Sequence, residues 1–125
     1  MLLSFVFLIV LIFITPGFDK YKNNGLLIIN EVMSSNNFTI QDKYGNYSDY
    51  IEIYNGYNYE INLEGYHLSD SEFETNKWTF PNIIIKPKEY LIIYASGKDK
   101  CNKEKKICHT NFKLSSKGEV LTLTD

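Results

Sequence analysis

Cys101, Cys108 and His109 are the residues of this chain best equipped for chemistry, and they lie close together in a lysine-rich stretch. The two cysteines are the only ones, with six residues between them. Such a pair can close a small loop as a disulfide in an oxidising compartment, or remain as free thiols. With His109 it also offers three zinc-type ligands, but Cys108 and His109 are adjacent, C-x-x-C spacing is missing and no fourth ligand is evident. The spacing favours the disulfide, leaves thiols and a metal open behind it, and gives no reason to expect a cofactor. Material for acid–base catalysis is weaker. Asp49 and Glu52 lie three apart on an extended run and face opposite sides of it, whereas carboxylates that share a proton must converge. A strand-entry turn for Asp49 and a solvated or cross-strand-paired position for Glu52 account for both. Asp70, Ser71, Glu72 and Glu74 crowd one loop, without the spacing or the glycine of an EF-hand, and read as a solvated loop. His109 as a general base would need a nucleophile and an orienting group. Ser115, Ser116 and Cys108 lack the surroundings of a nucleophile elbow. His109 and Asn111 therefore read as hydrogen-bonding residues that hold the Cys loop to the strand that follows, and His67 as a rim residue of its own strand.

Binding has better candidates. Tyr54, Tyr57 and Tyr59 crowd the turn Asn55-Gly56 and form a candidate aromatic surface. Trp78 could stack a sugar ring, but Phe80 shares its face and Pro81 follows, a pattern that favours a core pair. The net charge is only −2 and all thirteen basic residues are lysine. Without arginine, the usual bidentate reader of phosphate and guanine, nucleic acid is a poor candidate partner.

The elements that must position these residues are short strands. In Asp49-Tyr50-Ile51-Glu52-Ile53-Tyr54-Asn55, Ile51 and Ile53 share one face and Tyr50, Glu52 and Tyr54 the other, as in a half-buried antiparallel strand. Residues 26–33 form an earlier strand, apolar on both faces before Asn30 and Glu31. Residues 38–40 could add a short extended piece, and Asp42-Lys43-Tyr44-Gly45-Asn46 supplies a turn. Further strands are expected over 59–63, 66–70 and 77–80, followed by Ile83-Ile84-Ile85. Residues 90–95, the most continuously apolar run, predict a central strand buried on both faces. A loop carries the cysteines, and 110–114 and 119–125 alternate again. No helical periodicity of useful length occurs after Gly17, so the chain reads as an all-β sandwich or barrel, of a size that suits an immunoglobulin-like domain. Before it, residues 1–17 form an apolar run ending in Thr15-Pro16-Gly17. This is shorter than the roughly 20 residues of a membrane span and suits a signal peptide, with an uncleaved anchor as the alternative. Residues 18–25 are a polar linker and 26–125 the domain. An extracytoplasmic location follows, secreted or held to the membrane through residues 1–17.

Seven words in order resemble the lamin tail domain, an immunoglobulin-like module. They are Ile29-Asn30-Glu31-Val32-Met33-Ser34-Ser35-Asn36, Asp49-Tyr50-Ile51-Glu52-Ile53-Tyr54-Asn55, Leu63-Glu64-Gly65-Tyr66-His67-Leu68-Ser69-Asp70, Trp78-Thr79-Phe80-Pro81, Tyr90-Leu91-Ile92-Ile93-Tyr94-Ala95-Ser96-Gly97-Lys98, His109-Thr110-Asn111-Phe112-Lys113-Leu114-Ser115 and Gly118-Glu119-Val120-Leu121-Thr122-Leu123. The resemblance implies an antiparallel β-sandwich with no catalytic residues. It gives Asn30, Glu31, Asp49, Glu52, Asn55, Gly65, Asp70, Trp78, Phe80, His109, Asn111 and Phe112 structural places. It further implies a binding or scaffolding role toward a protein or a cell-envelope polymer. Bacterial members often sit beside a CotH-type kinase, so an accessory part of a larger enzyme is the second reading and a carbohydrate-binding module a minor third. Members usually continue past the position of 121–125 with a turn and a final strand. The sandwich is therefore expected to lack its closing strand, as in a truncated frame or a fragment, leaving an edge open to self-association.

Overall fold

Alternation along three strands builds the inner wall of the molecule. The computed structural model describes residues 26–125, and the expected signal or anchor at 1–17 and linker at 18–25 lie outside them. Strands β1 (Leu27–Met33) and β2 (Tyr50–Asn55) pair antiparallel. Counting onward, β3 is Ile61–Asn62, β4 His67–Ser69, β5 Trp78–Thr79, β6 Ile84–Ile85 and β7 Tyr90–Tyr94. A hairpin of β8 (Lys100–Asn102) and β9 (Ile107–His109) follows, and β10 is Thr122–Thr124. The largest sheet runs β1-β2-β7-β9-β8. Its register places Ile29, Ile53 and Leu91 in one row, and Val32, Ile51, Ile93, Cys108 and Cys101 in another. These rows face the core, where Ile51, Ile53, Ile93 and Cys108 are fully buried. The register of β1 shifts between Ile29 and Glu31. Three positions apart on a regular strand, Ile29 and Val32 would point to opposite faces; the bulge at Asn30 turns both inward. That is how a run apolar on both faces becomes a strand with one core side.

Two smaller sheets, β10-β4-β5 and β3-β6, close the opposite side. Leu68, Trp78, Ile85 and the loop residues Leu63, Phe80, Ile83, Phe112 and Leu121 complete one continuous apolar core. Trp78 and Phe80 meet edge to face at 4.8 Å in that core. The turn from β3 to β4 is closed by the Tyr66 N–H donating to Leu63 O at 2.9 Å, with Gly65 at φ 85°. This conformation costs glycine nothing and a side chain more. Gly56 serves differently: a Cβ there would lie 2.9 Å from Leu26 O, the acceptor of the Gly56 N–H.

No helix occurs among the described residues, so the all-β class holds. Several details depart from expectation. The sheets are not wholly antiparallel, because β7 and β9 run parallel. Residues 38–40 form no strand, with bends at Phe38 and Thr39, and Phe38 is exposed. Strand β7 is central but buried on one face only: Leu91 and Ile93 point inward, Tyr90 and Tyr94 outward. A parallel neighbour gave the expectation of two-sided burial no help, since a single sheet face was available to the core. Residues 110–114 alternate in burial without a ladder, touching the sheet through one bridge between Lys113 and Ser96. Ladders within 59–63, 66–70 and 119–125 are also shorter than the alternation implied. Part of the stretch read as the Cys loop is instead the β8–β9 hairpin, with Cys101 opposite Cys108.

Candidate binding face

The outer face of the five-stranded sheet is set by the residues that the core does not take. Its rows are Ile28, Tyr54 and Tyr90; then Glu31, Glu52 and Ile92; then Met33, Tyr50, Tyr94, His109 and Lys100. In the first row the rings of Tyr54 and Tyr90 stack at 4.5 Å, and Tyr90 is 55% exposed. Beside them Asn30 Nδ2 donates to Glu52 Oε1 at 2.7 Å. Tyr50 Oη donates to Glu31 Oε1 at 2.5 Å. Burial, then the Glu31 bond and the Glu31 and Glu52 charges, push the Tyr50 hydroxyl well above the usual tyrosine range. The pairs let two glutamates sit opposite one another in the register, a position that repels when left bare.

The third row is covered from Tyr50 to His109, with Lys100 exposed at its end. The loop of residues 34–49 folds over it and is held from two buried polar side chains. Asn36 donates through Nδ2 to Ile40 O and Ser48 O at 2.8 and 3.0 Å. Its Oδ1 accepts the Thr39 N–H at 3.0 Å. Asp42 accepts the Tyr44 and Asn46 N–H groups on Oδ1, and Ser48 Oγ and Lys98 Nζ on Oδ2, all within 3.0 Å. Burial raises its affinity for a proton, but the Lys98, Asn46, Tyr44 and Ser48 bonds outweigh it and hold the carboxyl at about 2. Under this loop Tyr94 stacks on His109 at 5.1 Å, Tyr44 packs on the same imidazole at 5.9 Å, and Tyr94 Oη donates to Gln41 O at 3.4 Å. His109 is buried, with Nδ1 2.8 Å from Ser96 Oγ.

The other residues singled out by sequence are dispersed. Tyr57 and Tyr59 stack on each other at 4.8 Å, while Tyr54 pairs with Tyr90, so the three tyrosines divide between two ring pairs. Asn55 is fully buried at the end of β2 and joins the turn that follows it to the turn between β6 and β7: Nδ2 donates to Tyr59 O, Ile85 O and Lys86 O, and Oδ1 accepts the Tyr57 N–H. Asp49 accepts the Asn36 N–H and Glu52 the Asn30 amide, so the two carboxylates serve different partners. Asp70 pairs with Lys77 at 2.6 Å. Among the described residues no group of three or more His, Cys, Asp or Glu side chains could hold a metal ion. Trp78 is buried and donates through Nε1 to Asp99 Oδ1 at 3.2 Å, which closes its ring to a sugar. His109 and Asn111 are expected from sequence to hold the Cys loop to the strand that follows it. In the structure His109 bonds Ser96 after β7, and Asn111 Nδ2 donates to Lys77 O at 2.8 Å, beside β5. His67 Nδ1 lies 2.9 Å from Thr79 Oγ1 on the neighbouring strand. Cys101 and Cys108 are joined as a disulfide across the hairpin, with Cα atoms 4.1 Å apart.

Three contributors escaped sequence reading: Tyr90, Asn36 and Asp42. The turn chemistry of Asp42 was visible, but not its reach to Lys98, 56 positions along. Tyr90 belongs with Tyr54 only through the β2–β7 register. A model of the Lamin Tail Domain family matches residues 21–125. No curated protein and no solved structure matches the chain. With sheets, core and family words spanning the same stretch, the chain belongs to the lamin tail domain family, whose domains are non-catalytic and immunoglobulin-like.

Proposed function

We propose that this protein is a non-catalytic binding or scaffolding module that works outside the cytoplasm and docks a protein or a cell-envelope polymer on the open half of its outer sheet face. The observation that carries the reading is the stacked Tyr54–Tyr90 pair, with more than half of Tyr90 presented to solvent. Large rings with few rotatable bonds give contact area at low entropic cost, which makes exposed tyrosines effective anchors. The Cys101–Cys108 bridge supports an oxidising location, since such bonds persist mainly outside the cytoplasm. Residues 1–17 would then serve as the export signal or as the anchor. A position beside a CotH-type kinase on a longer chain would leave the same face available.

The test is co-sedimentation of the full chain with isolated cell envelopes from the producing cells. Saturable binding is expected, weakened about tenfold or more by the pair Tyr54→Ala and Tyr90→Ala. Wild-type binding by that variant, or binding that never saturates, would discard the reading.

A further inference from the structure

At the covered end of the outer face, away from Tyr54 and Tyr90, lies an open cleft of about 370 Å³ lined by Lys43, Lys100, Cys101, Asn102, Ile107 and His109. Its chemistry is set by the histidine. His109 is 1% exposed, and Nε2 has no hydrogen-bond partner among the described residues. On the other side of the ring, Ser96 Oγ accepts the Lys98 N–H at 3.3 Å and lies 2.8 Å from Nδ1. A serine hydroxyl proton directed at Nδ1 would place the ring proton on Nε2. A buried donor without an acceptor is costly, and an acceptor that reaches it gains a bond whose desolvation has already occurred.

The charges around this ring are unbalanced. Lys43, Lys98, Lys100 and Asp42 act on His109, and Asp42 is engaged by Lys98 at 2.9 Å. Among the described residues Lys43 and Lys100 have no carboxylate within ion-pair distance; the Lys43 ammonium instead sits 4.9 Å from the Tyr44 ring centroid. Asn102 uses its Oδ1 to accept the Lys105 N–H, which leaves its Nδ2 as a donor. Burial, followed by Lys98, lowers the His109 pKa against the pull of Asp42, with Lys43 and Lys100 adding to the decrease. The ring is therefore neutral near pH 7.

We propose that this cleft binds a phosphate dianion, free or as a monoester, through the Lys43 and Lys100 ammonium groups, the Asn102 amide and the His109 Nε2–H. A dianion balances both lysines, whereas a carboxylate would leave one uncompensated. Tetrahedral oxygens also provide separate acceptors for donors that come from the loop, β8 and β9. Tyr44, half-exposed on the 42–46 turn, packs on the same imidazole at 5.9 Å.

The experiment is nitrogen NMR of the full chain with labelled histidine, titrated at pH 7 with inorganic phosphate and with phenyl phosphate against chloride at matched ionic strength. A saturable shift of the His109 Nε2 signal is expected, together with a rise of the His109 titration midpoint. The exposed pair Lys43→Ala and Lys100→Ala should weaken binding about tenfold, and Lys117→Ala should leave it unchanged. Tighter binding of phenyl phosphate assigns a monoester as occupant, and equal binding assigns the free ion. Shifts that grow linearly, shifts that chloride reproduces, or wild-type binding by the double lysine variant would overturn the proposal.

Discussion

The two halves of the outer sheet face use the same residue type for different ends. At one end Tyr50 and Tyr94 lie beneath or beside the 34–49 loop, with Tyr50 buried and Tyr94 stacked on His109. At the other, Tyr54 and Tyr90 stack on each other with none of the described segments over them, and Tyr90 is 55% exposed. All four tyrosines come from the same two strands and point the same way. The difference lies in what crosses above them. Where a loop is held down by buried polar side chains, a ring becomes part of a second, smaller core; where none of the described residues crosses, a ring stays exposed. Stability and binding should therefore separate along this face.

The strongest way to break the comparison is Asp42→Ala. Its carboxylate holds four donors, and their loss should cost about 3 kcal/mol, read from urea unfolding, with the Tyr94 and His109 signals moving as the cover loosens. A cost below about 0.5 kcal/mol, typical of an ordinary surface change, would show that the loop is held elsewhere. Reduction of the Cys101–Cys108 bridge is next. Closing a loop with a sequence separation of 7 is worth about 2–3 kcal/mol by chain entropy, and the urea midpoint should fall by a corresponding amount in reductant. An unchanged midpoint would mean that β8 and β9 hold without it.

Acid should act on the covered half as well. The Asp42 carboxyl has its folded pKa below its unfolded value, so its stabilisation is complete above pH 3.8 and is lost as the pH falls toward about 2. That loss is on the order of 2 kcal/mol. His109 is also depressed, from 6.5, so its share is complete above that pH and declines as the pH falls through the folded value. Unfolding curves at stepped pH should show both declines, and Asp42→Asn should remove only the lower one. If the variant keeps the lower step, another carboxylate carries it. Tyr90→Ala is the smallest perturbation: about 1 kcal/mol from the lost stacking, yet the larger effect on envelope binding. A variant that is as destabilised as Asp42→Ala would join the two halves into one structural unit and end the distinction.

Much of this architecture was legible from residue order. Ile51 and Ile53 announced a one-sided strand, Trp78 and Phe80 a shared face, and Gly45 and Gly65 their turns. Alternation reports which residues seek the core because side chains on a strand change sides at every step. It does not report pairing, so Tyr54 was read with its chain neighbours Tyr57 and Tyr59 rather than with Tyr90. The isoleucines of β7 resembled a strand buried on both faces, although only one face met the core. The lysines of residues 98–106 concealed a hairpin because two three-residue strands carry too few alternations to be recognised.

By itself, the sequence determined the all-β class, the family and the identity of the main core residues, since these depend on local alternation, turn chemistry and the order of short words. Only the tertiary structure decided which strands are neighbours, that β7 and β9 run parallel, and that the bulge at Asn30 turns both Ile29 and Val32 inward. It also decided that Asn36 and Asp42 draw a loop over Tyr94 and His109 while leaving Tyr90 uncovered. The reason is physical: burial and pKa depend on what arrives from distant parts of the chain, and the energy of those contacts exists only once register has brought them together.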